Sequence, residues 1–88
     1  MTREPPRDCE TTALAALAAT LSDERRAARF LDLTGLSPDG IRDSLGERHV
    51  LAACLSFLEA HEPDLIAVAA ALDMKPEAIV AARKELEA

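Results

Sequence analysis

Two stretches of this 88-residue chain have nearly the same layout, and together they restrict it to a helical fold. The first is Phe30-Leu31-Asp32-Leu33-Thr34-Gly35-Leu36-Ser37-Pro38-Asp39-Gly40-Ile41, and the second is Val68-Ala69-Ala70-Ala71-Leu72-Asp73-Met74-Lys75-Pro76-Glu77-Ala78-Ile79. In each, an apolar helical segment leads into a tight turn, an apolar anchor, then Pro, an acid and Ile. Pro suits the first turn of a helix, because its ring presets φ and its missing N–H would have had no intrahelical partner. Both phrases therefore read as helix-turn-helix corners.

Composition points the same way. Ala and Leu dominate an apolar share of 49%, and only 2% of residues are aromatic. These are the apolar residues with the best helix propensity, while β-formers are scarce. The expected fold class is all-α: a compact single-domain bundle of about five or six short helices containing two helix-turn-helix-like corners. Residues 1–7 are polar, contain Pro5 and Pro6, and read as a flexible N-terminal tail. Residues 8–88 read as one helical domain, with no linker long enough to divide it.

Asp8 is the expected cap of a first helix running to about Leu21, in which Leu14, Leu17 and Leu21 at i, i+3 and i+7 form a buried stripe. Ser22 caps a second helix, with Asp23 and Glu24 in the first turn where the macrodipole favours acids. Its apolar residues are Ala27, Phe30, Leu31 and Leu33, and Gly35 ends it. Ser37 and Pro38 open a short third helix that Gly46 closes. The fourth, from about Glu47 to Ala60, carries Val50, Leu51, Cys54, Leu55, Phe57 and Leu58 over nearly half its circumference, which marks the central helix. Pro63 opens a fifth through Leu72, and Pro76 a sixth reaching Leu86.

Several function classes are disfavoured. The longest uncharged stretch, Thr11 to Ser22, is shorter than the roughly 18 residues a membrane span needs. Asp8 and Glu10 precede it and Asp23 and Glu24 follow it, which is the wrong flanking charge for a signal peptide. Two Cys residues make no disulfide framework, and a reducing, cytoplasmic setting is expected. His49, Cys54 and His61 do not converge as metal ligands, since on one helix Cys54 lies about 140° around from His49. Cys9 and Cys54 have no base at a suggestive spacing. No catalytic residue, cofactor or metal site is expected, and the chain reads as a non-enzyme.

Nucleic acid is the runner-up partner, through the 65–86 corner. Val68, Leu72, Met74, Ile79 and Ala82 occupy the apolar offsets of a helix-turn-helix, with small Ala69 where the helices touch. The reading face is poor: Lys75, Glu77, Val80, Ala81 and Lys84 offer little toward base edges, and only Lys75 and Lys84 suit phosphate. At the first corner, Thr34 and Ser44 stand where apolar residues belong. Formal net charge is -6, and residues 30–64 hold two basic against seven acidic residues, an anionic middle that argues against a phosphate-binding role.

From about Leu14 to Leu86 the chain resembles a family of small alphaproteobacterial proteins catalogued as a domain of unknown function. Its signature is an Ala/Leu-rich first helix, an Arg-Phe-Leu-x-Leu-Thr-Gly-Leu-x-Pro phrase, here Arg29 through Pro38, and a second Leu-x-Pro corner. A Gly is expected at the second turn, where Asp73 stands. The resemblance implies no activity, substrate or partner.

What remains is a protein-protein interaction module, with an unknown protein partner or weak self-association. Ile66 and Val80 lie off the apolar stripes of the last two helices and form one candidate surface. Arg25, Arg26 and Arg29 form another, open to an acidic group or paired to neighbours such as Asp23 or Asp32.

Overall fold

The computed structural model describes residues 9–44 and 46–88, and these hold six helices and no strand. They are α1 (Cys9–Leu21), α2 (Glu24–Thr34), α3 (Pro38–Asp43), α4 (Arg48–Glu59), α5 (Glu62–Ala71) and α6 (Pro76–Glu87). The all-α expectation holds, and most helix ends fall within a residue or two of their expected places. The expected tail, and Asp8 as a cap, lie outside the described residues.

Capping differs in two places. The third helix ends at Asp43 with Ser44, not Gly46, as its C-cap, the Ser44 N–H donating to the Ile41 carbonyl at 3.0 Å. Asp23, not Ser22, starts α2: its carboxylate accepts the Arg26 backbone N–H at 2.9 Å, while the Ser22 hydroxyl donates to the Ala19 carbonyl at the end of α1, at 2.8 Å. That N–H bond, helped by the nearby Arg26 and Arg25 charges, holds the Asp23 carboxyl below its ordinary value. A lowered carboxyl pKa means that this cap contributes above the ordinary carboxylate range and is lost as pH falls through the depressed value. Ser37 caps α3 as expected, accepting from the Gly40 N–H at 3.0 Å.

Both corners turn through a left-handed residue. Gly35 has φ 73°, and its N–H donates to the Leu31 carbonyl at 2.8 Å. At the second corner Asp73 adopts φ 56°, donating to Ala70 at 3.1 Å while the Met74 N–H donates to Ala69 at 3.0 Å. This is a Schellman cap with Asp in the place Gly usually takes. The absence of Gly therefore leaves the corner intact, because Asp is one of the few side-chain-bearing residues that visits this region. The two positions should respond with opposite sign. Gly35→Ala meets no atom within 4 Å, so its cost is backbone strain alone, about 1 kcal/mol. Asp73→Gly relieves that strain and removes a carboxylate from a helix C-terminus, for a gain of up to about 1 kcal/mol. Urea denaturation of both variants checks the pair, and equal signs would refute this reading of the corners.

The core lies where α1, α4 and α6 pack mutually, with α5 and α2 against its sides. On α4, Val50, Leu51, Cys54, Leu55, Phe57 and Leu58 are all buried, as expected of a central helix. The α1 stripe is not the expected one. Leu17 is buried, but Leu14 is 41% and Leu21 37% exposed. The buried face is instead Thr12, Ala13, Ala16, Leu17 and Thr20. Wedged between α4 and α6, α1 presents its small residues to them, which lets the backbones approach. Thr20 satisfies its hydroxyl by donating to the Ala16 carbonyl at 2.8 Å. Leu33, expected with the apolar residues of α2, is 74% exposed, since α2 is peripheral and inserts only Phe30 fully. At the first corner, the Thr34 hydroxyl donates back to Phe30 at 2.9 Å, so the polar residue costs the fold no unpaired group.

Candidate functional site

Two surfaces stand out around α2, and they lie on different sides of it. On one, Asp64 in the first turn of α5 is buried against the arginines. Arg26 Nε donates to Asp64 Oδ1 at 3.2 Å, Arg29 Nη2 pairs with Oδ2, and His61 Nδ1 lies 3.1 Å from Oδ2. Arg26 also reaches the Ala19 carbonyl at the end of α1, at 3.4 Å. The Arg29 guanidinium carbon sits 5.6 Å from the Phe57 ring centroid, and Phe57 meets Phe30 edge-on at 5.3 Å. Of the three arginines named from the sequence, then, Arg26 and Arg29 tie α2 to α5 through Asp64, not through Asp23 or Asp32. Arg25 is exposed.

The second surface is an open apolar groove of about 340 Å³, lined by Leu21, Ala27, Leu31, Pro38, Ile41 and Arg42. It exists because α3 is six residues long and buries only Ile41, so it stands off the bundle and leaves Leu21 and Leu31 incompletely covered. Arg42 is its one charged wall, held by Asp39 at 3.2 Å in an exposed pair.

The other residues singled out from the sequence are dispersed. Ile66 is 51% exposed on α5, whereas Val80 on α6 is half-buried. At the second corner Val68, Ala69, Ile79 and Ala82 are buried and Leu72 and Met74 half-buried. The outward face of α6 exposes Glu77, Ala78, Ala81, Lys84 and Glu85, with Lys75 exposed at its cap. His61 precedes α5 as its cap residue, and exposed His49 lies 3.4 Å from Glu47. Arg48 joins three helix ends, donating to Glu10 at 2.9 Å and to the Glu85 and Leu86 carbonyls at 3.2 and 3.4 Å.

Cys54 is fully buried, and its sulfur lies 3.7 Å from the Thr20 hydroxyl. Burial pushes its thiol up to about 11. At pH 8 the thiolate is a minute fraction, so Cys54 should not react with a disulfide reagent until the protein unfolds. Half-buried Cys9 is the contrast. Native protein should titrate about one thiol and denatured protein about two; rapid native labelling of Cys54 would contradict its burial. Among the described residues, no group of three or more His, Cys, Asp and Glu could hold a metal ion, and no helix is long and apolar enough to cross a membrane.

A family model described as Protein of unknown function (DUF3572) matches residues 6–88. The chain belongs to that family. DUF3572 membership thus extends over all six helices, including both corners, the Asp64 cluster and the groove. No curated protein and no solved structure matches the chain.

Proposed function

We propose that this DUF3572 protein is a protein-binding module without enzymatic activity, and that its working surface is the groove between the end of α1, α2 and α3, occupied by a helix of another protein. The observation that carries the reading is the apolar groove itself, with Leu21 and Leu31 left incompletely covered at its walls. In an all-helical domain there is no sheet edge to extend, so a partner helix laid in a groove is the mode of recognition that such a surface serves. Weak self-association through Ile66 and Val80 is a lesser version, since Val80 is half-covered and a net charge of -6 opposes the meeting of two copies.

Duplex binding by the second corner is not favoured by the exposed side chains of α6, where Glu77 and Glu85 accompany Lys75 and Lys84. Little specific binding to a duplex is expected at physiological salt, and saturable binding lost on changing Lys75 and Lys84 to Ala would reverse the preference.

The direct test compares partner capture from native lysate by the parent and by Leu21→Asp. Leu21 is 37% exposed and ends α1, so the substitution should cost roughly 1 to 2 kcal/mol and leave the variant folded with parental helicity. A protein held by the parent and lost from the variant fits the proposal. Unchanged capture by a folded Leu21→Asp refutes the groove as the working surface.

A further inference from the structure

Resting on that reading of the groove, we infer that its occupant is a basic amphipathic helix: apolar anchors on one face, with Lys or Arg flanking them. The size of the space sets the first limit. About 340 Å³ is near the floor for small-molecule pockets, which run from roughly 300 to 1,000 Å³ and carry several convergent polar groups. This groove offers only Arg42, already held by Asp39, and has nothing to orient a polar ligand. A few apolar side chains presented at i, i+3 or i+4, and i+7 match it better.

Charge chooses among helices. Glu24, Ala27 and Leu31 share one face of α2 at i, i+3 and i+7, so an exposed carboxylate continues the line of the apolar wall. Asp32 follows Leu31, and α3 exposes Asp39 and Asp43. Against these four acids, the cations of the two walls are Arg25 and Arg42, the latter paired with Asp39; Arg26 and the partly exposed Arg29 pair with Asp64 on the other side of α2. The chain as a whole has the same sign, at net charge -6. A partner flanked by cations gains complementary charge at the rim and a faster encounter, and a like-charged one is repelled. A second copy of this chain, at net charge -6, is the wrong occupant for the same reason.

The test uses a synthetic helical peptide with Leu at the anchor positions and Lys elsewhere, and its twin with Glu in place of every Lys. Both are titrated into the full chain, followed by amide chemical shifts. The Lys peptide should shift residues of α2 and α3, bind at least about tenfold more tightly than the Glu twin, and weaken with salt. Leu21→Asp should abolish its binding, and the pair Glu24→Lys with Asp32→Lys should weaken it about tenfold. Reversing Glu77 and Glu85 on α6 should leave it nearly unchanged. Equal binding of both peptides, lost in Leu21→Asp, would overturn the charge inference and leave the groove reading standing. Lys-peptide binding that is unaffected by Leu21→Asp, or that maps to α6, overturns the inference as non-specific attraction. Lysate capture by that same variant judges the groove reading separately.

Discussion

Leu55→Ala should cost roughly 2 to 5 kcal/mol, the usual range for deleting a fully buried leucine side chain and leaving part of the space unfilled. Leu55 is 0% exposed on α4, the helix that packs against α1, α2, α5 and α6, so no neighbour can collapse onto the void without disturbing another contact. For 88 residues a total stability of about 4 to 13 kcal/mol is ordinary. One substitution thus removes a large part of it. At about 4 to 8 °C per kcal/mol for a domain of this size, the melting point should fall by at least about 8 °C. The exposed neighbour Ser56→Ala should change stability by less than about 0.5 kcal/mol. Chemical denaturation of the two variants side by side decides the matter. A Leu55→Ala protein that melts with the parent would remove α4 from the centre of the fold.

How much of this was legible in advance divides by distance along the chain. The corners were readable because their causes are local: Pro38 and Pro76 open helices, Ser37 supplies a cap, and the left-handed residue lies one or two positions beyond a helix end. The α4 face was readable because so wide an apolar arc has only the centre to go to. The α1 stripe was misread because periodicity counts bulk, whereas a helix held between two others turns its Ala face inward and leaves Leu14 and Leu21 at the edges. The exposure of Leu33 was not legible for a related reason, since apolar character does not reveal that a helix is peripheral. The groove follows from the exposure of Leu21, one of its walls. Asp64 gave no local sign of its role: an acid in a first turn is what the dipole favours anyway, and its arginines are 35 and 38 residues away. Only the docking of α2 and α5 against α1 and α4 lets these side chains pair.

That pairing makes the second large prediction. Asp64→Ala should destabilise the protein by about 2 to 4 kcal/mol. Removing one member of a buried pair leaves the other charge uncompensated, and here two guanidinium groups lose their carboxylate at once. The figure stays below the upper limit for such losses because Arg29 is 44% exposed and water can replace part of what it loses. Arg26, 15% exposed and also bonded to the Ala19 carbonyl, has no such relief. Arg26→Ala should therefore cost more than Arg29→Ala, and a double-mutant cycle should show Asp64 coupled more strongly to Arg26. The loss should also be uneven. With its link to α5 gone, α2 should open ahead of the rest and lose more amide protection than α4 and α6, whose protection should fall only with the global stability, because their contacts run through the core and not through Asp64. Since α2 carries Ala27 and Leu31, one wall of the groove, the same variant should bind the Lys-rich helical peptide more weakly although none of the groove's lining residues has changed. An Asp64→Ala protein with parental stability and unaltered exchange in α2 would show that the buried cluster is incidental to the position of that wall.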